Sequence, residues 1–240
     1  MRSHEFLVER WTAKTIKAYI DINKNNDITS KDFRVSEPFA GCIMIEFDRV
    51  PMLARAFFRM SEYYEGHIYQ SKQPRHTDMA QFLDRFVDNS GNVEYFKFWD
   101  GYNITDRAFE SWLKSVGPLA QAEKAVVSAI RKIRGSGAYS IIGVAKGSAS
   151  TRDHELFHAM YYLQPDFKKQ INNAMRSFRD QPAYASMSKV LRDKLDYRAH
   201  IDEEIAAYLC DGSNLSMVFG TNPKSQSQEF RRIYLEHLAS

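Results

Sequence analysis

Residues 154–158, with the sequence HELFH, are the ones whose types and spacing could do chemistry. On a helix, side chains four residues apart lie on the same face, roughly 6 Å apart, so His154 and His158 can direct their imidazoles at one metal ion. Glu155 follows the first histidine and can lean over a water held by the metal, as a general base requires. The spacing therefore predicts a metal site with a base beside it.

Hydrophobic residues surround the motif on most sides, among them Leu156, Phe157, Ala159 and Met160. Such bulk would dry the site and anchor its helix in a core. We also expect the motif-bearing helix to follow a strand directly. This setting favours a metal site over two histidines on a solvated helix face.

The motif over 154–158, on a helix that follows a strand directly, resembles that of the zincin superfamily of metallopeptidases, in which two helix histidines bind zinc and the intervening glutamate activates water. The resemblance implies Zn2+ as the cofactor, His154 and His158 as ligands and Glu155 as the catalytic residue. The metzincin branch is excluded, because residues 163–169 contain no third histidine.

The gluzincin branch takes its third ligand from a glutamate on a later helix, and the segment over 202–209 is similar to that helix. Both Glu203 and Glu204 match the pattern. Reading Glu204 as the ligand places the small side chain of Ala207 three residues later, where it allows close helix packing. The resemblance therefore favours Glu204, and Glu203 then supports a ligand or faces solvent.

Three further residues could support the site or its transition state: His200, Tyr197 and Tyr208. His200 lies one turn before the ligand segment. It could hydrogen-bond at a helix start, donate to an oxyanion or become a fourth ligand, and we favour the first of these. Upstream, Trp99, Gly101 and Asn103 resemble an uncharacterised bacterial family with the same zinc motifs.

The function that the resemblance implies is zinc-dependent hydrolysis of peptide bonds, with a peptide or protein as substrate. It also implies that the strand around 141–145 borders the cleft, where an extended substrate could pair with it. A catalytically inactive binding or regulatory protein that keeps the zincin scaffold around a structural zinc is the alternative. Hydrolysis of a non-peptide amide would use the same residues.

The elements that must position these residues are mostly helices. Apolar patterning and turn chemistry predict strands over 42–45, 93–99 and 138–145, and helices over 5–21, 51–66, 78–87, 105–116, 118–133, 150–163, 165–178, 183–195, 202–209 and 227–237. We expect an α+β, predominantly helical fold with a zincin-like core, in which a small sheet precedes the active-site helix and a helical C-terminal lobe. It would be a single two-lobed domain over 1–240, with lobes over 1–149 and 150–240.

Composition narrows the class of protein. The 240 residues include 33 basic and 30 acidic side chains that are spread along the chain, which argues against a nucleic-acid partner. No signal peptide or apolar stretch long enough to cross a bilayer is recognisable, so we expect no membrane association and a cytoplasmic location. The two cysteines form no disulfide framework, in line with a reducing compartment.

Overall fold

The computed structural model describes residues 28–68, 87, 99–193, 197 and 200–239. The predicted helix over 5–21 lies outside these residues. Nearly all of the predicted helix over 78–87 and of the predicted strand over 93–99 lies outside them too.

One mixed sheet contains the four described strands: β1 Phe33–Ser36, β2 Cys42–Phe47, β3 Gly101–Thr105 and β4 Ser140–Ala145. Their order is β1-β2-β4-β3, with β2 and β4 parallel and the two outer pairs antiparallel. The apolar runs predicted β2 and β4, and both are confirmed. The sequence did not predict β1 and β3, because polar residues and a glycine give them weak strand propensity.

Helices make up most of the described chain, and the fold is α+β. They are α1 Val50–Ile68, α2 Asp106–Ser115, α3 Gln121–Ile133, α4 Ala149–Leu163, α5 Pro165–Phe178, α6 Pro182–Asp193, α7 Ile201–Cys210, α8 Leu215–Phe219 and α9 Lys224–Leu238. Each predicted helix that falls on described residues is present, with its ends moved by three residues at most. The short α8 was not predicted, because a single helical turn leaves too little periodicity to recognise.

The sheet lies between two helical layers, each with its own hydrophobic cluster. Alternate residues of β2 and β4 serve the two clusters, because successive side chains of a strand point to opposite faces. Ile43 and Ile141 pack with α1, α2 and α3, whereas Cys42 and Ile142 pack with α4–α9. Every residue of β4 is buried, as expected of a strand covered on both faces.

The helices α1, α2 and α3 form the first layer and α4–α9 the second. A buried ion pair joins α1 to α3 in the first layer and explains where α3 begins. Glu123 accepts a hydrogen bond from Nε of Arg59 at 2.7 Å and another from the backbone N–H of Ala120 at 2.8 Å. The carboxylate thereby caps the helix from within its first turn. The helix starts at Gln121 for this reason, three residues later than the proline at 118 predicted.

The helix that carries the predicted motif, α4, follows β4 after a short turn. Its buried face carries Leu156, Phe157, Ala159 and Met160, which pack into the second cluster. The two motif histidines lie on its partly exposed side. Within the described residues, no helix is both long enough and apolar enough to cross a membrane.

Candidate metal centre

The two histidines of α4 converge on one point. Nε2 of His154 lies 3.2 Å from Nε2 of His158, and the ring centroids are 4.9 Å apart. The spacing of four residues places both rings on one face, as the sequence predicted. Two imidazole nitrogens are thus brought to the distance at which they can share an ion.

Helix α7 packs against α4 and adds a carboxylate to this pair. The two oxygens of Glu204 lie 3.6 Å from Nε2 of His154 and 3.5 Å from Nε2 of His158. The side chains of His154, His158 and Glu204 are 16%, 11% and 5% exposed, so the group lies near the surface but faces little solvent. Together they form a group of three potential ligands that could hold a metal ion.

Glu203 takes a different position, although it precedes Glu204 directly. Its Oε1 accepts a hydrogen bond from Nδ1 of His158 at 2.9 Å. Adjacent helix positions point about 100° apart, so only one of the two side chains can face the two Nε2 atoms. The structure therefore directs Glu204 to the candidate metal position and Glu203 to the back of His158.

Asp211 accepts a hydrogen bond from Nδ1 of the other histidine, His154, as Glu203 does from His158. Its Oδ2 lies 3.0 Å from Nδ1 of His154, and its Oδ1 accepts the backbone N–H of Ser213 at 2.7 Å. Asp211 was not predicted from the sequence, because no motif contains it. The signal that could have found it is chemical: each ligating imidazole needs an acceptor for its second nitrogen, and Asp211 lies two helical turns after Glu204.

These partners fix the tautomers of both rings. When the rings are neutral, the carboxylate at each Nδ1 holds the proton there, which leaves the Nε2 lone pairs of His154 and His158 pointing at each other and at Glu204. Oε2 of Glu204 is buried without a hydrogen-bond partner. Three acceptors therefore face one small space, an arrangement that a cation stabilises.

The spacing of these atoms suits a small tetrahedral cation. Two atoms that ligate zinc at about 2.0–2.1 Å with tetrahedral angles lie about 3.3 Å apart. The distances among the two Nε2 atoms and the nearest Glu204 oxygens run from 3.2 to 3.6 Å. The chemistry and the spacing of these donors are compatible with such an ion.

The pKa values of the two histidines show that the surrounding carboxylates favour positive charge at the site. Burial lowers the pKa of His154, but Asp211 and Glu204 outweigh it and raise the pKa to about 10. Burial likewise opposes protonation of His158, yet Glu204 and Glu203 raise its pKa. The site attracts positive charge, and a bound metal ion would displace these protons.

The side chain of Glu155 lies between its own helix, α4, and the strand β3. A Cβ atom at Gly101 would come within 2.7 Å of Oε1 of Glu155 and within 2.3 Å of Cγ2 of Thr151. Asn103 donates from Nδ2 to the backbone carbonyl of Glu155 at 3.1 Å. Burial raises the pKa of the Glu155 carboxyl, although the two histidines act in the opposite direction. Such a shift suits a group that must both accept and return a proton.

The remaining predicted residues occupy different places. The ring of Tyr208 stands edge-on to His154 at 4.8 Å between centroids, and burial raises the pKa of its hydroxyl to about 12. His200 is the N-cap residue of α7, and its side chain makes no capping hydrogen bond. Instead its Nδ1 lies 3.6 Å from Oε2 of Glu203. Tyr197 packs against the second hydrophobic cluster.

Comparison of the chain with protein families, with curated proteins and with solved structures gives no match.

Proposed function

We propose that this protein is a zinc-dependent metallopeptidase with a zincin-like site, in which His154, His158 and Glu204 bind the metal and Glu155 is the general base. One observation carries the proposal. Each helix histidine is held through Nδ1 by its own carboxylate, and both Nε2 atoms face Glu204 beside the glutamate of the motif. Carboxylate–histidine pairs of this kind orient metal ligands in zinc enzymes.

The donor set favours zinc over harder cations. Two imidazole nitrogens and one carboxylate suit zinc, whereas magnesium and calcium prefer oxygen ligands alone. Within the described residues, the candidate group comprises three side chains. Three protein ligands leave a fourth position open, which is typical of catalytic zinc, whereas structural sites are closed by a fourth protein ligand. This difference supports the enzyme over the scaffold with a structural zinc.

Zinc bound there would supply a water whose pKa is lowered to about 7 and would polarise the scissile carbonyl. Glu155 accepts the proton of the attacking water and returns it to the leaving amine. Its close approach to Gly101 limits where its carboxylate can lie. Hydrogen bonds that Nδ1 of each histidine donates to Glu203 or Asp211 keep the two rings in the tautomer that ligation needs.

The strand that Glu155 approaches is β3. The expectation of substrate pairing with the strand around 141–145 is wrong, because β4 is hydrogen-bonded to β2 on one side and to β3 on the other. Among the described strands, β3 lies at the sheet edge.

The hydrogen bonds of β3 show which of its backbone groups face outward. Ala145 donates to the carbonyl of Asp100, and Asp106 donates to that of Tyr139. Bonded pairs alternate in an antiparallel ladder, so the backbone groups of Gly101 and Asn103 point away from β4. We propose that an extended peptide pairs with these groups, beside Glu155.

The substitution Glu155→Gln tests the general base. It keeps the size of the side chain and removes its ability to take a proton, so we expect zinc content equal to wild type and turnover lowered by at least about 100-fold. Cleavage is measured on a mixed peptide library by mass spectrometry, with metal content measured on the same samples. Glu236→Gln, at an exposed carboxylate paired with Arg232, is the matched control and should leave both quantities unchanged.

Wild-type protein that binds zinc at the three ligands but cleaves no library peptide would contradict the peptidase proposal. Cleavage by Glu155→Gln at the wild-type rate would contradict the role of Glu155 alone.

A further inference from the structure

Two imidazoles share the carboxylate of Glu203. Oε1 is 2.9 Å from Nδ1 of His158, and Oε2 is 3.6 Å from Nδ1 of His200. The side chains of His158, Glu203 and His200 are 11%, 18% and 45% exposed, so the three groups lead from the candidate metal position to the surface. A surface histidine is thus connected to a metal ligand through one carboxylate.

The backbone of His200 is unusual for its residue type. With φ 57° and ψ 25°, it is the one residue other than glycine with a positive φ among those described. A left-handed conformation in a residue with a Cβ is unfavourable, and such residues persist where the surroundings hold them. The conformation places the imidazole of His200 beside Glu203.

Neither His200 nor Glu203 makes the capping hydrogen bond that its position at the start of α7 favours. An N-cap side chain ordinarily accepts a backbone N–H of the first turn, and a glutamate three residues later ordinarily reaches back to the N-cap backbone. His200 makes no side-chain capping bond, and Glu203 bonds to His158 instead. The start of α7 is organised around the histidines rather than around its own capping.

We propose that His200 is a positioning residue of the metal centre, which holds Oε2 of Glu203 so that Oε1 stays on Nδ1 of His158. This inference rests on the proposed metal site. Glu203 adjoins the ligand Glu204 in sequence, and a free Glu203 carboxylate could rotate away from His158. By holding it, His200 fixes the orientation of the ligand ring and keeps the two glutamates in separate roles.

The test removes and restores the donor at position 200. Glycine tolerates the left-handed backbone without a side chain, whereas asparagine tolerates it and presents Nδ2 close to where Nδ1 of histidine lies. Zn2+ affinity is measured by competition with a chelator, and the absorption spectrum of the Co2+-loaded protein reports ligand geometry.

Partners of metal ligands typically contribute 10–100-fold to affinity, so for the more distant His200 we expect His200→Gly to weaken Zn2+ binding by about 3- to 10-fold. We also expect it to shift the Co2+ spectrum. His200→Asn should restore both properties to within about twofold of wild type, because it keeps the donor to the carboxylate. His237→Asn, which replaces a histidine of α9 that is hydrogen-bonded to Gln170 of α5, should change neither.

The substitution Glu203→Gln shows whether the effect travels through the carboxylate. In that background, His200→Gly should have no further effect on Zn2+ affinity, because the connecting group is already lost. An equal loss in both backgrounds would overturn the proposal. If His200→Gly does not fold, His200→Asp replaces it, since aspartate tolerates the same backbone but repels Glu203.

The failure of this inference differs from that of the proposed function. Wild-type protein that does not bind Zn2+ would overturn the metal site and the role of His200 together. Wild-type protein that binds Zn2+, with His200→Gly binding it equally well and giving the same Co2+ spectrum, would overturn the role of His200 alone.

Discussion

Neighbouring glutamates on α7 have different partners, and this difference organises the site. Glu204 faces both Nε2 atoms, whereas Glu203 faces Nδ1 of His158. A ligand contributes a bond to the metal, whereas a residue behind a histidine contributes only orientation and basicity. Replacing Glu204 should therefore lower metal affinity more than replacing Glu203.

We expect Glu204→Gln to lower Zn2+ affinity more than either Glu203→Gln or Asp211→Asn, each of which should cost about 10- to 100-fold. The two smaller losses should resemble each other, since each variant weakens the partner of one imidazole. Chelator competition on the three purified variants measures the order. A larger loss in Glu203→Gln than in Glu204→Gln would reverse our assignment of the third ligand.

Protonation of His154 gives the metal-free protein a defined pH response. The pKa of His154 is raised from 6.5 to about 10, so its contribution to stability is fully present below pH 6.5 and is lost as pH rises through about 10. We expect the melting temperature of metal-free protein to fall over this range. With Zn2+ bound the fall should be smaller, because the ion has replaced the proton.

Thermal unfolding at several pH values measures this response, and His154→Asn is its control because it removes the titrating ring. An equal fall in wild type and in His154→Asn would show that other groups cause it.

At the residue level, the sequence predicted the motif but not all of its supports. The spacing of His154 and His158 is a local property of a helix, and the structure brings both to one point. The choice between Glu203 and Glu204 depends on how α7 rotates against α4, which is a tertiary property. Asp211 depends on the same packing, so no local pattern contains it.

Contact between the strand β3 and the helix α4 controls the position of Glu155. The glycine at 101 allows this approach, because a side chain there would meet Thr151 and Glu155. The prediction of α4 succeeded because its fifteen residues contain neither glycine nor proline and are followed closely by the proline at 165. The strand β3 was missed because its five residues include glycine and asparagine, and only pairing with β4 makes them a strand.

The substitution Gly101→Ala should displace Glu155 and strain the contact with α4. We expect a loss of about 1–3 kcal/mol of stability from overpacking. We also expect turnover on the library peptides to fall by about 100-fold if the carboxylate moves by about 1 Å. Thermal unfolding and the peptide assay measure the two effects.

Two further variants separate the causes. Gly117→Ala is the control, since a Cβ there meets nothing within 4 Å. Adding Thr151→Ser to Gly101→Ala removes the nearest clashing atom and should restore stability more than turnover. Stability equal to wild type in Gly101→Ala would contradict the close approach of β3 to α4.

The whole molecule divides its tasks between the two faces of the sheet. The candidate metal group and the carboxylates behind its histidines belong to α4, α7 and the residue that follows α7. The buried Arg59–Glu123 pair belongs to the opposite layer. We infer that the first layer supports the sheet, whereas the second layer carries the chemistry.

Damage to the first layer should lower stability and leave metal binding intact. Glu123→Gln leaves the buried charge of Arg59 without its counter-ion, which typically costs about 3–5 kcal/mol. We expect Zn2+ affinity of the folded variant to stay within about twofold of wild type.

Denaturant unfolding and chelator competition measure the two quantities. Glu110→Gln, in the half-exposed pair with Arg134, should cost less than about 1 kcal/mol and is the control. A large loss of affinity in Glu123→Gln would show that the layers are not independent.

The docking of α7 on α4 has a consequence for the order of folding. The histidines and Glu204 lie on two helices that α5 and α6 separate in sequence, so no single segment of the chain can complete the ligand group. Colour from Co2+ during refolding would therefore appear only when α7 has reached its native place on α4. The time at which Co2+ absorbance appears would thus report when the second layer assembles, separately from when its helices form.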